Sequence, residues 1–325
     1  MKRKAIKGAA ALAIAMLAAA AAYARDNSAW FDMTKMPSSL IWVFDGSPVH
    51  NVGNLQMHVT NWGAIGSYPS SNWPCAEAPS AQWPANSGVE YLYIAGIWVG
   101  AKKNGIPVVS TAAYDIEFRP HPTDPLVRIY RSFEGAAGGA RYPSPPDDDN
   151  DGKIDEDWLN GKDDDGDGQI DEDFAAIGKQ MFSCEITDYD PSSVQANPEH
   201  TPLNLLVRQE SYQWENDRVD DFVGVEFTVY NIGEATLEDF YLGFFADPDV
   251  GARSRPNNFD DDLVDVVDAT ACVTKGAFEI PVKYAMGVAY DEDGDLDGDS
   301  PALGQIGIMF MGHTIDPAGV KAPPR

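Results

Sequence analysis

The sequence predicts an all-β fold, in which antiparallel β-sandwich regions carry an acidic calcium-loop insertion and little helix. Three observations support this: short runs of alternating apolar residues, frequent turn residues, and no long stretch with apolar residues at helical spacing. The chain has 29 glycines and 23 prolines, which favour turns over long helices. Half-buried strands joined by short turns need a second sheet to cover the apolar face, and a sandwich provides it.

Residues 1–24 have the features of a signal peptide. A basic start precedes an uncharged, alanine-rich run over 8–22, and Ala22-Tyr23-Ala24 matches a small-x-small cleavage site. The run is too short and too rich in alanine for a membrane span, and no later stretch of the mature chain is long and apolar enough for one. We therefore expect a secreted protein, extracellular or at the cell surface, with the periplasm as the alternative compartment.

An N-terminal β-rich region is predicted over 25–142. The run over 90–100 is rich in aromatic and β-branched residues, Lys103-Asn104-Gly105 then turns the chain, and 106–111 returns it. An Asn-Gly pair between two such runs is a strong signal for a β-hairpin.

A proline-led acidic segment over 143–174 interrupts the β pattern. It contains two copies of one loop, sixteen residues apart, over 147–157 and 163–173. Each copy places carboxylates at alternate positions before a glycine, and an isoleucine and a second acidic cluster follow. Oxygen ligands in this arrangement suit Ca²⁺, which is the predicted cofactor.

Both copies have the phase of an EF-hand-type loop, in which positions 1, 3, 5 and 9 supply side-chain oxygens and position 7 a backbone carbonyl. Gly152 and Gly168 fall at position 6, where such a loop turns sharply. The predicted ligands are therefore Asp147, Asp149, Asp151, Lys153 and Asp155 in the first loop, and Asp163, Asp165, Asp167, Gln169 and Asp171 in the second.

Position 12 departs from the pattern, because a glutamate is expected there and the chain has Trp158 and Phe174. The loops also lack convincing flanking helices. They resemble the calcium repeats of thrombospondin type 3 and dockerin modules more than a helix-loop-helix EF-hand, and the missing ligand predicts affinity of about 10⁻⁴–10⁻³ M. The alternative interpretation is a solvated acidic linker without a bound ion.

A third acidic cluster matches half of the motif. Asp293, Asp295 and Asp297 fit positions 1, 3 and 5, but Pro301 occupies position 9. We predict these three aspartates as a separate partial site. Acidic groups at 247–249 and 260–262 also lie at strand ends, and we interpret them as solvated loops rather than as a shared cation site.

The C-terminal β-sandwich region, over 175–325, has the clearest strand patterns. Apolar and more polar residues alternate over 222–230, which predicts a strand with one buried face. The turn at 231–233 then leads to 237–246, which we predict as its partner strand. Further strands are predicted at 282–290 and 306–311.

Charge and cysteine content limit the functional classes. The chain has 51 acidic and 23 basic residues and a net charge of −28, so it attracts metal cations and should not bind nucleic acid. Cys75, Cys184 and Cys272 allow one disulfide at most, without indicating which pair, and have no zinc-type spacing.

The chain contains no motif that specifies a catalytic mechanism. The five histidines are scattered, and neither an HExxH helix nor a GxSxG elbow is present. Trp73 and Trp83 lie in a predicted loop where exposed rings could stack on sugars, although buried core aromatics are commoner. We therefore expect a non-enzyme, with a glycoside hydrolase-type carboxylate pair as the alternative.

The combined pattern resembles exported bacterial surface proteins in which β-sandwich segments, such as 222–251 here, alternate with Asp-Gly calcium repeats. This resemblance implies a secreted, non-catalytic, calcium-binding protein with a structural or adhesive role at the cell surface. Its expected partners are calcium and cell-surface glycans or other surface proteins. The alternative is a secreted carbohydrate-binding or polysaccharide-degrading protein.

Overall fold

A computed structural model describes residues 48–67, 77–120, 129–133, 140–141, 166, 168, 178–253, 262–275, 278–292 and 304–312. These residues form antiparallel β-sheets and one short helix, so the all-β prediction is confirmed. Within the same ranges, no helix is long and apolar enough to cross a lipid bilayer.

The elements follow one another along the chain as β1 (Val49–His50), β2 (Gln56–His58), β3 (Ala64–Ile65), β4 (Ser80–Gln82), β5 (Val89–Glu90), β6 (Ile94–Lys103), β7 (Ile106–Thr111), β8 (Arg119–Pro120), β9 (Tyr130–Phe133), β10 (Ala140–Arg141), β11 (Gln180–Thr187), α1 (Pro191–Ala196), β12 (Leu205–Gln213), β13 (Gly224–Asn231), β14 (Leu237–Asp247), β15 (Gly251–Ala252), β16 (Asp262–Lys275), β17 (Phe278–Asp291) and β18 (Ile306–Met309).

Two large sheets contain strands from both sides of the acidic segment. The six-stranded sheet has the order β10-β9-β11-β12-β13, and β8 also pairs with β11. The four-stranded sheet has the order β14-β6-β3, and β7 also pairs with β6. Smaller sheets are formed by β1-β2-β4, by β15-β5 and by β16-β17-β18. The chain before residue 143 and the chain after residue 174 therefore contribute to the same two sheets.

One hydrophobic core contains side chains from both large sheets. Ile97 and Val99 of β6 belong to it together with Ile186 of β11 and Val207 of β12, and each is at most 1% exposed. These residues occupy alternate positions on their strands, as expected for one buried face. The core thus joins sequence segments that lie far apart along the chain.

The predicted hairpin around Asn104 is confirmed. β6 and β7 pair from Lys103 and Ile106 back to Trp98 and Thr111. Asn104 and Gly105 have φ values of 55° and 77°, so both central residues of the turn are left-handed. A two-residue turn of this kind matches the twist of antiparallel strands, and the Asn-Gly pair tolerates its backbone.

The predicted pairing of the strands before and after Asn231 is wrong. β13 pairs with β12, whereas β14 pairs with β6 in the other large sheet. Residues 232–236 therefore cross from one sheet to the other. The Asn231 side chain accepts a hydrogen bond from the Gly233 N–H and donates one to the Ala235 carbonyl, each at 3.0 Å. The crossing brings Phe227 of β13 and Phe244 of β14 together, with ring centroids 6.1 Å apart.

We predict that Ile186→Ala lowers the free energy of unfolding by about 2–5 kcal/mol, because it leaves a cavity in a fully buried part of the core. The matched control is Ile106→Ala on β7, where the side chain is 65% exposed, and it should change stability by less than about 0.5 kcal/mol. Denaturant unfolding of both variants measures the difference. Equal losses would contradict the assignment of Ile186 to the core.

Candidate functional site

The predicted calcium ligands in 147–171 and 293–297 lie outside the described residues. Two glycines of the second loop are described, and Gly166 and Gly168 have φ values of 86° and 102°. Gly168 is at position 6 of that loop, and a positive φ is the conformation for which glycine is favoured. Within the described ranges, no group of three or more His, Cys, Asp or Glu side chains could hold a metal ion.

A cluster of acidic side chains lies where β14 ends. Asp247 accepts a hydrogen bond from the Tyr114 hydroxyl, and Asp262 accepts one from the Val250 N–H at 2.9 Å. Asp249 lies between these positions in the chain and interacts electrostatically with Asp247 and Asp262. We call Asp247, Asp249, Asp262 and Tyr114 the Asp249 cluster.

Burial and mutual repulsion perturb the protonation of the Asp249 cluster. Burial, with the charges of Asp247 and Asp262, raises the pKa of Asp249 to about 8. Burial also raises the pKa of Asp247, against the effect of the Tyr114 hydrogen bond. Burial and the charge of Asp247 raise the pKa of the Tyr114 hydroxyl, which stays protonated. Asp247 and Asp249 are half-buried, so the solvated-loop interpretation of 247–249 does not describe them.

Aromatic rings pack beside the Asp249 cluster on the four-stranded sheet. Trp98 of β6 stacks on Phe245 of β14 with centroids 4.6 Å apart and planes within 6°. Tyr114 contacts the same Phe245 edge-on, with ring centroids 5.6 Å apart, and the ring centroids of Tyr93 and Tyr114 are 6.5 Å apart. All four rings are half-buried. The arrangement places a hydroxyl and a carboxylate next to partly exposed ring surface.

Trp83, for which the sequence allowed sugar stacking but favoured a place in the core, is half-buried against the main core. Its indole N–H donates to Asp221 at 2.7 Å, and Tyr91 contacts the ring edge-on with centroids 6.3 Å apart. Trp73, the other tryptophan for which stacking was the alternative, lies outside the described residues. These contacts hold the indole in place as part of the packing between 83–91 and the turn at 221.

His200 belongs to a buried polar network that no sequence motif predicts. Its Nδ1 lies 3.0 Å from Glu117 Oε1, and its Nε2 lies 2.7 Å from the backbone carbonyl of Asp188. Burial disfavours the charged imidazole, but the bonds to Glu117 and Asp188 and their charges outweigh it and raise the pKa of His200. The network contributes to structure, because His200 is buried by the loop before β12.

The carboxylate of Asp188 satisfies backbone groups in the same network. It accepts hydrogen bonds from the N–H groups of Leu203 and Leu205 at 2.6 and 2.7 Å, and from the Ser110 hydroxyl at 2.7 Å. Asp188 is fully buried. Its partners lie between 15 and 78 residues away in the chain, so no local pattern could have identified it.

No family model matches the chain, and no match was found among the curated proteins or the solved structures.

We predict that Asp249 makes stability depend on pH. Its folded-state pKa of about 8 lies above its ordinary value of 3.8, so its contribution is fully present below about pH 4 and is lost as pH rises through 8. Asp249→Asn removes this loss. The variant should therefore gain stability relative to wild type as pH rises from 4 to 9, measured by denaturant unfolding at several pH values.

The exposed Asp217, in the turn after β12, provides the matched control, and Asp217→Asn should retain the wild-type pH profile. A constant stability difference between Asp249→Asn and wild type across this pH range would show that Asp249 does not have a raised pKa.

Proposed function

We propose that the chain is a secreted, non-catalytic calcium-binding protein with a structural or adhesive role at the cell surface. The observation that carries this proposal is the pair of in-phase acidic loops over 147–157 and 163–173. Carboxylates at alternate positions around a glycine form the oxygen-rich ligand set that Ca²⁺ prefers. The positive φ of Gly168 supports the sharp turn that this ligand set needs.

Bound calcium would have a structural effect, for an electrostatic reason. Like charges about 4 Å apart repel by roughly 1 kcal/mol in water and by more near a protein surface. The acidic segment lies between β10 and β11, and both strands belong to the six-stranded sheet. Calcium would therefore reduce repulsion in a segment whose two ends are held by one sheet. This supports a role in ordering the protein rather than in catalysis.

We predict that the chain binds Ca²⁺ at millimolar concentration and that Asp149→Ala with Asp165→Ala weakens binding by at least about tenfold. These residues occupy position 3 of the two loops, and each change removes one carboxylate ligand. Isothermal titration calorimetry measures the affinity. Limited proteolysis with and without chelator should show that calcium protects the 147–173 segment.

The matched control for this pair is Asp217→Ala, which removes an exposed carboxylate far from the repeats in sequence. Asp188→Ala is unsuitable, because Asp188 is buried and satisfies two backbone N–H groups. Absence of bound ion at millimolar calcium, or equal affinity in the double variant and in wild type, would reject the calcium proposal.

A second candidate function is carbohydrate binding or polysaccharide hydrolysis, and the Asp249 cluster favours it. Glycoside hydrolases use a carboxylic acid with a raised pKa beside a second carboxylate. Asp249 and Asp247 have these properties and lie near the half-buried rings of Tyr114 and Phe245.

For this second function we predict release of reducing sugar from a polysaccharide panel, and its loss in Asp249→Asn. The amide cannot donate the proton that the raised pKa of Asp249 holds near neutral pH. Asp217→Asn is the control and should keep wild-type activity. No sugar release, together with no binding on a glycan array, would remove this candidate.

A further inference from the structure

The three-stranded sheet β16-β17-β18 leaves a long free edge. β16 pairs with β17 over all fourteen of its residues, and within the described part of the chain no strand pairs with its other side. Val264 and Val266 of β16 are 60% and 64% exposed. A free edge of this length, with apolar side chains on it, is a template for pairing with another strand.

One backbone group identifies the side of β16 that faces outward. The Val266 N–H donates at 2.7 Å to the carboxylate of its neighbour Asp265. In an antiparallel pair, alternate residues direct their N–H groups toward the partner strand and away from it. Val266 therefore directs its N–H toward the free edge, and Asp265 lies along that edge.

β16 carries two exposed aspartates. Asp265 and Asp268 are both exposed and lie three residues apart. Successive side chains of a strand point to opposite faces, so these two carboxylates lie on opposite faces of the sheet. Apolar residues occupy the positions between and beside them, including Val264, Val266 and Val267.

We propose that the free edge of β16 binds an extended, basic segment of another protein as an added strand. The segment has lysine or arginine at a spacing of three residues, with apolar or β-branched residues between them. Backbone hydrogen bonds at the edge provide the affinity. One basic residue lies opposite Asp265 on one face of the sheet, and the other lies opposite Asp268 on the other face.

Charge favours this occupant over a second copy of the chain. Each copy has a net charge of −28, so two copies repel, whereas a basic segment is attracted both by the whole chain and by the two edge aspartates. The edge lies outside the acidic repeats. The proposal therefore goes beyond calcium binding and does not depend on it.

The test uses two synthetic peptides of identical composition and the full chain. The first, Thr-Lys-Val-Thr-Lys-Val-Thr, has lysines three residues apart, on opposite faces of a strand. The second, Thr-Lys-Val-Lys-Thr-Val-Thr, has them two residues apart, on one face. Fluorescence anisotropy should show weaker binding of the second peptide, by about threefold, because one of its lysines lacks an aspartate opposite.

The variant Asp265→Lys with Asp268→Lys tests the charges directly. It should bind the first peptide at least about tenfold more weakly, because two attractive pairs become repulsive. It should bind the same peptide with glutamate in place of lysine more tightly than wild type does, which also shows that the variant is folded. The control Asp217→Lys makes the same kind of charge change in an exposed turn and should leave both affinities near wild type.

Amide hydrogen exchange locates the bound peptide. Exchange at 264–268 should slow on addition of the first peptide, and by less on addition of the second at equal concentration. Equal binding of the two peptides, or no effect of charge reversal, would overturn the proposal. A wild-type dimer with β16 amides already protected would also overturn it, because a second copy would then occupy the edge.

Discussion

β6 is covered on both faces over its first half, and among the described residues two apolar clusters pack on either side of it. Ile97 and Val99 lie in the core shared with the six-stranded sheet, whereas Ile94 belongs to the second apolar cluster around Trp62. Gly96 lies between them, and a Cβ there would be 3.0 Å from the backbone of Gly63 and Ala112. The close approach of Gly63 and Ala112 to β6 therefore requires a glycine at position 96.

β6 also connects distant parts of the chain through its backbone. It pairs with β3 and β7, which are near in sequence, and with β14, whose residues lie more than a hundred positions later. Such non-local pairing requires loop closure before it gains any stability, so the local hairpin of β6 and β7 is expected to form first. Placement of the Asp249 cluster follows from β14, because Asp247 is its last residue and pairs with Ile94.

The highly acidic chain nevertheless buries charged groups, and two of them, Glu90 and Arg119, each have a compensating contact. Glu90 is 6% exposed and pairs with Arg253 at 2.7 Å. Arg119 is 2% exposed, its guanidinium lies 5.2 Å from the ring centroid of Trp62, and burial lowers its pKa to about 9. Asp249 is different, because two further carboxylates surround it and proton uptake relieves the repulsion. That difference makes it the strongest candidate for chemistry among the described residues.

Sequence patterns predicted what depends on neighbouring residues. Alternation identified the strand that became β13, and the Asn104-Gly105 pair identified the β6–β7 hairpin. The partner of β14 could not be found in this way, because β14 pairs with β6, which lies more than a hundred positions earlier in the chain. The His200–Asp188 network and the raised pKa of Asp249 likewise arise from residues that only the tertiary fold brings together. The proposed calcium ligands remain a sequence prediction.

The order β10-β9-β11 in the six-stranded sheet has a mechanical consequence for the residues between Arg141 and Gln180. Their two attachment points are separated by a single intervening strand, which is a distance of about 10 Å across the sheet. The segment between these points therefore ends close to where it begins. Pulling on the chain termini cannot extend it until the hydrogen bonds that join β9 to β10 and β11 break.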